Sequence, residues 1–229
     1  MQMPTVTILR REPGGSEECE QVFEFEEGFA GSVIDLLYEL NGRETLTDAA
    51  GVPARRIGFE CSCMVGECGA CAMLVNGRPV LACEVKVAEE MKREGALRLA
   101  PLTAFPCVGD LQVDRSSLRA RARDAGLWLV GEAQTAEDGF FSDCLQCGLC
   151  AEACEKYHSG KYDAPCLYAA ADLVAALDGA DGVRRKSMKK ALKKPFLCPC
   201  KTAPCEPVCP RRLPLRQAIN RVGGSLFSI

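Results

Sequence analysis

Along the first part of the chain, Val6 and Ile8, and later Val22, Phe23 and Phe25, fall in alternating runs of strand type, separated by the turn-forming Pro13-Gly14-Gly15. This pattern predicts a β-hairpin. Ser32 then stands as an N-cap before Val33, Ile34, Leu36, Leu37 and Leu40, whose spacing is that of one apolar helical face laid on a sheet. Further on, Met73-Leu74-Val75 and Val80-Leu81-Ala82 flank Asn76-Gly77, a dipeptide that accepts the positive φ of a tight hairpin turn. From about Asp114 the alternation stops, and segments 116–125, 163–178, 184–194 and 213–222 read as helices. The pattern therefore predicts an α+β chain with a sheet-based domain at 1–107 and a helical domain at 108–229. It shows no tandem repeat of fold scale and no low-complexity tract.

Composition narrows the function. With 229 residues, 48% hydrophobic and 26% charged, the chain can fold around two real cores. No apolar run approaches the roughly 20 residues needed to cross a bilayer. The opening MQMPTVTILRREPGG lacks the blocks of a signal peptide, so a cytoplasmic location is expected. A net charge of −3 gives no overall attraction to nucleic acid, and no nucleic-acid partner is expected. Arg184, Arg185, Lys186, Lys189, Lys190, Lys193 and Lys194 form a local basic stretch, suited to anionic lipid, to an acidic partner or simply to solvent. Phosphate-binding glycine loops and Ser/His/Asp arrangements are absent. No catalytic residue is expected.

The chemistry lies in 16 cysteines beside a single histidine, His158. In an unexported protein thiols stay reduced, and reduced cysteines packed this closely usually hold metal. Spacing separates zinc from iron–sulfur. Cys63, Cys68, Cys71 and Cys83 run as C-x4-C-x2-C-x11-C, and the first three match the plant-type [2Fe–2S] spacing. Cys63 and Cys68 would hold one iron, Cys71 and Cys83 the other. Gly66, Gly69 and Ala70 let the backbone approach and turn its amides toward sulfur. A zinc site would usually pair two C-x2-C knuckles, and this segment has one.

Cys144, Cys147, Cys150 and Cys154 form C-x2-C-x2-C-x3-C, the bacterial ferredoxin run with Glu155 in place of its closing proline. In such runs the fourth cysteine ligates a different cluster, so a second run is required. Cys205 and Cys209 supply it, ending C-x3-C-P at Pro210. Cys209 is therefore assigned to the [4Fe–4S] cluster of Cys144, Cys147 and Cys150. Cys154 and Cys205 belong to a third cluster. Regular spacing would put its remaining cysteines at 199 and 202, which are Pro199 and Thr202, with Cys198 and Cys200 bracketing the first. A [3Fe–4S] cluster on Cys154, Cys200 and Cys205 is the leading reading. Cys198 is the alternative ligand, and a second [4Fe–4S] cluster follows if both bind.

Cys19, Cys61, Cys107 and Cys166 fall outside these spacings and read as small buried hydrophobes, with Cys61 close enough to Cys63 to substitute for it. His158 and Lys201 are candidate contacts for an electron acceptor.

FECSCMVGECGACAMLVNGRPVLAC, CLQCGLCAEAC, KYDAPCLYAAADLV and CEPVCPRRLPLRQAI resemble segments of the iron–sulfur subunit family of succinate dehydrogenase and fumarate reductase, over essentially the whole chain. The resemblance implies an N-terminal plant-type [2Fe–2S] ferredoxin (β-grasp) domain and a C-terminal α-helical ferredoxin domain. It further implies a subunit without substrate chemistry of its own. Its partners would be an FAD-containing flavoprotein, which interconverts succinate and fumarate, and a membrane anchor that handles quinone. Electrons would pass between flavin and quinone by way of the three clusters. The location implied is peripheral, on the cytoplasmic face of the cytoplasmic membrane. The family's proline and tryptophan after the fourth cysteine of the second run are replaced here by Glu155-Lys156-Tyr157-His158, and Lys201 follows Cys200 where a histidine is usual. A related flavoprotein with another substrate, or a soluble or thiol acceptor in place of quinone, is the alternative. A redox-sensing protein is the third reading, against which three clusters in family order argue.

Overall fold

The structure, a computed structural model, describes residues 3–130, 143–192 and 202–223. It divides into two compact units, Met1–Asp114 and Arg115–Ile229.

In the first unit, strands β1 (Thr5–Arg11) and β2 (Glu18–Glu24) pair antiparallel, with Val6 opposite Phe23 and Ile8 opposite Gln21. Helix α1 (Val33–Gly42) follows, its start fixed by a reciprocal capping box between Ser32 and Asp35. Strands β3 (Ala72–Val75) and β4 (Arg78–Leu81) close a tight hairpin in which Asn76 and Gly77 both have positive φ, 48° and 75°. Helix α2 (Val87–Glu94) and strand β5 (Leu97–Ala100) complete the main sheet, whose order is β2-β1-β5-β3-β4, with β5 parallel to β1. A small hairpin of β6 (Cys107–Gly109) and β7 (Gln112–Val113) ends the unit, which therefore runs to Asp114 rather than stopping at 107. Val6, Ile8, Phe23, Leu36, Leu37, Leu40, Val75 and Leu99 are fully enclosed in its core.

That terminal hairpin is pinned through one buried carboxylate. Asp110 is wholly enclosed and accepts from Arg10 Nε at 3.0 Å, Arg55 Nη2 at 2.7 Å, and the backbone N–H of Arg11 at 3.0 Å and Gly58 at 2.7 Å. Burial pulls the Arg10 pKa down, against the opposing attraction of Asp110. Asn41 at the end of α1 clamps the next residue of the same segment, its side chain bonding both the N–H and the carbonyl of Ile57 at 2.8 Å. Residues 55–58 are thus tied to β1, α1 and the terminal hairpin just before the first cysteine cluster.

The second unit is helical: α3 (Ser116–Asp124), α4 (Leu149–Glu152), α5 (Glu155–His158), α6 (Pro165–Leu177), α7 (Gly182–Leu192) and α8 (Leu215–Gly223). The sequence PCLYAAADLVAAL is apolar nearly all round, and α6 is accordingly the central helix, packed against α3, α4, α7 and α8. Its entry is held by Asp163, which receives Arg121 Nε at 3.0 Å and Nη2 at 2.9 Å, while Tyr168 donates to the Leu192 carbonyl at 3.0 Å. Among the described residues no helix is long and apolar enough to cross a membrane.

Candidate metal centres

In the first unit the loop between residues 58 and 71 returns the chain to β3 and carries Cys63, Cys68 and Cys71, while Cys83 follows β4. The Cys71 and Cys83 sulfurs lie 3.3 Å apart and are buried, and the Cys63 and Cys68 side chains are within hydrogen-bonding reach of each other. The N–H groups of Val65 and Glu67 point at Cys63 Sγ at 3.5 and 3.2 Å, and that of Ala70 at Cys68 Sγ at 3.5 Å. Left-handed backbone at Met64, Gly66 and Gly69 turns these amides inward. Amides aimed at sulfur hold the Cys63 thiol down at about 7, whereas burial pushes Cys71 up to about 12. Cys61 stands in the same group of thiols, close to Cys83, Cys68 and Cys63.

Gly66 shows how tightly the loop is wound. Its φ is +74°, and a Cβ there would meet Glu84 Oε1 at 2.6 Å. Gly66→Ala is expected to cost about 1–2 kcal/mol through the left-handed backbone. The check is visible absorbance of the [2Fe–2S] centre, which should disappear at a lower temperature than in the unaltered protein.

In the second unit Cys144, Cys147, Cys150 and Cys209 line one cavity, together with Leu213 and Leu215. The run uses the same local device: Gln146 and Gly148 are left-handed, and the N–H groups of Gln146 and Leu149 serve the sulfurs of Cys144 and Cys147. Cys209 Sγ accepts from the Leu213 N–H at 3.5 Å. Burial pushes Cys147 up to about 12. Of the third set, Cys205 is buried, is likewise pushed up to about 12 chiefly by burial, and lies near Cys150 and Cys154. Cys198, Cys200 and Lys201 lie outside the described residues. Among the described residues no three His, Cys, Asp or Glu side chains are drawn together closely enough to hold a single metal ion.

The expectation that the remaining cysteines are buried holds for Cys166 alone, since Cys61 and Cys107 are only half-buried. Cys19 is exposed on β2 rather than buried. Cys166 is buried as expected, yet its thiol lies within hydrogen-bonding reach of Cys144 and Cys150 and lines their cavity. Spacing could not reveal it, because it enters from the start of α6 and not from the cysteine run. Cys107 donates to the Asp110 carbonyl at 3.5 Å. His158 is exposed, with Nε2 bonded to the Glu152 carbonyl at 2.8 Å.

The residues fit iron–sulfur clusters on the chemistry of the donor sets: grouped thiols, small left-handed loops, and backbone N–H groups trained on the sulfurs. A family model described as the 2Fe-2S iron-sulfur cluster binding domain matches residues 5–120. The succinate dehydrogenase iron-sulfur subunit of Bacillus subtilis is 26% identical over 227 residues, covering 93% of this chain and 88% of that protein. One subunit of the fumarate reductase (CoM/CoB) of Methanothermobacter marburgensis is 28% identical over 92% of this chain, which spans 42% of it. Among solved structures, a chain of the Mycobacterium smegmatis Sdh1 complex in the apo form shares the fold over 99% of both chains, with a TM-score of 0.69 and 20% identity.

Proposed function

This chain belongs to the 2Fe-2S iron-sulfur cluster binding domain family, and on that footing we propose that it is the electron-transfer subunit of a succinate dehydrogenase/fumarate reductase-type complex. It would carry electrons between an FAD-containing flavoprotein and a membrane quinone site. The observation that carries this reading is the pair of thiol groups, one in each unit, each with backbone amides directed at its sulfurs. The clusters supply the one-electron chemistry when bound. The chain's own residues hold and tune them: Cys63, Cys68, Cys71 and Cys83 a [2Fe–2S] cluster, and Cys144, Cys147, Cys150 and Cys209 a [4Fe–4S] cluster. Cys154 and Cys205, with Cys200 or Cys198, hold the third. No residue acts on substrate. The chain sits at the membrane through its partner subunits, on the cytoplasmic side.

A second reading keeps the same wire with a soluble or thiol acceptor. It is favoured by Tyr157-His158 standing where the family has a tryptophan, by the engagement of His158 with the Glu152 carbonyl, and by a relative whose name specifies CoM/CoB.

Purification of the native complex tests both. The expected result is a co-purifying flavoprotein and membrane anchor, with about nine or ten non-heme irons per chain. A flavoprotein without an anchor would select the second reading. A zinc-dominated preparation with about two irons or fewer would overturn both.

A further inference from the structure

We propose that Cys166, which supplies none of the four assigned ligands, donates its single S–H hydrogen to the neighbouring ligand sulfurs, to Cys144 or shared between Cys144 and Cys150, and so raises the reduction potential of the cluster they hold. The proposal rests on the [4Fe–4S] reading of Cys144, Cys147, Cys150 and Cys209.

Three observations carry it. Cys166 is the second residue of α6, following Pro165, whose ring fixes the backbone where the helix begins. Its side chain is 6% exposed and lines the same cavity as the four assigned ligands, among Leu213 and Leu215. Its Sγ reaches both Cys144 and Cys150. The helix that presents it is braced at Asp163 by Arg121 and at Tyr168 by the Leu192 carbonyl, so the thiol is held in place rather than swung in.

The physical consequence follows from where charge collects. Ligand sulfurs carry more negative charge in the reduced state than in the oxidised state, so a donor to them stabilises the reduced state more. A thiol is a weak donor, but in an apolar cavity the electrostatics of its bond are screened less than at a surface. An alanine or valine at this place would fill space without donating. Cys166 is thus a positioning residue, acting through the ligands and not on the substrate.

The test is a redox titration of the native complex followed by electron paramagnetic resonance, comparing the unaltered protein with Cys166→Ala and Cys166→Ser. In Cys166→Ala the cubane midpoint should move to a more negative potential, by about tenfold in the oxidised-to-reduced ratio, or about 59 mV for a one-electron couple. The [2Fe–2S] midpoint should not move and serves as the internal control. Cys166→Ser, whose hydroxyl still donates, should move less and also shows that a polar variant assembles. An unchanged midpoint in Cys166→Ala overturns the proposal and leaves the thiol as filler. Loss of the cubane signal and about four irons from both variants, with the [2Fe–2S] signal kept, overturns it differently, by making Cys166 a ligand. Absence of a cubane from the unaltered protein would instead sink the functional reading on which the proposal rests.

Discussion

Replacing Cys71 by alanine is expected to abolish the [2Fe–2S] centre while leaving the two larger clusters in place. Cys71 is 1% exposed, 3.3 Å from Cys83, and the loop that precedes it is shaped around the sulfurs of Cys63 and Cys68. Removing it leaves one iron with a single thiolate and a gap that water cannot readily fill from this buried side. The ligands assigned to the larger clusters belong to a separate compact unit. Electron paramagnetic resonance of the reduced protein should therefore lose the [2Fe–2S] signal outright, and iron analysis should fall by about two per chain. Loss of the larger clusters as well would show that the two units do not load independently.

The second large effect concerns stability. Asp110→Ala should destabilise the first unit by about 3–5 kcal/mol, because it leaves Arg10 buried without its charge partner. Out of a total of about 5–15 kcal/mol for an ordinary domain, that is a large fraction. Four bonds would go with the charge: two from Arg55 and one each from the N–H groups of Arg11 and Gly58. Asp110 also has φ +41°, so alanine adds backbone strain that asparagine tolerates better. Asp110→Asn should consequently fall between the two. Denaturant unfolding followed by circular dichroism measures this, with the midpoint moving and the slope unchanged. A midpoint equal to that of the unaltered protein would mean that the carboxylate does not clasp the hairpin.

Much of this was legible because it is local. Alternation located β1 and β2, and the Asn76-Gly77 dipeptide located the second hairpin, since each signal is carried by residues adjacent in sequence. Strand β5 was not legible: LRLA is short, and one of its two partners, β1, stands far away in sequence, with Val6 beside Leu97. Helix α2 was missed because VAEEMKRE offers little apolar face. Its buried Glu90 is instead met by Arg78 at 2.7 Å, by Asn76 at 2.8 Å and by Arg93. The four-residue helices α4 and α5 are too short to show a period. At the site, spacing was enough for cysteines within one run. It could not show Cys166, whose nearness to Cys144 is created by the packing of α6. Nor could it show the Asp110 clasp, which joins β1, the segment at 55–58 and the last hairpin of the unit.

The backbone amides trained on the cysteine sulfurs have a further consequence, for the speed of electron hops. These dipoles are set by left-handed residues such as Met64, Gly66, Gln146 and Gly148, and they are part of the folded chain rather than of the solvent. When an electron arrives, such groups are already oriented toward the added charge and need not rotate to meet it. A loop dressed by mobile water would have to reorganise at every passage. With a cluster bound, amides already oriented toward the sulfurs would have less to rearrange at each hop, which would lower the barrier to exchange in both directions. On the proposed function, the same loops would serve electron flow either way, with the direction left to the potentials of the partners.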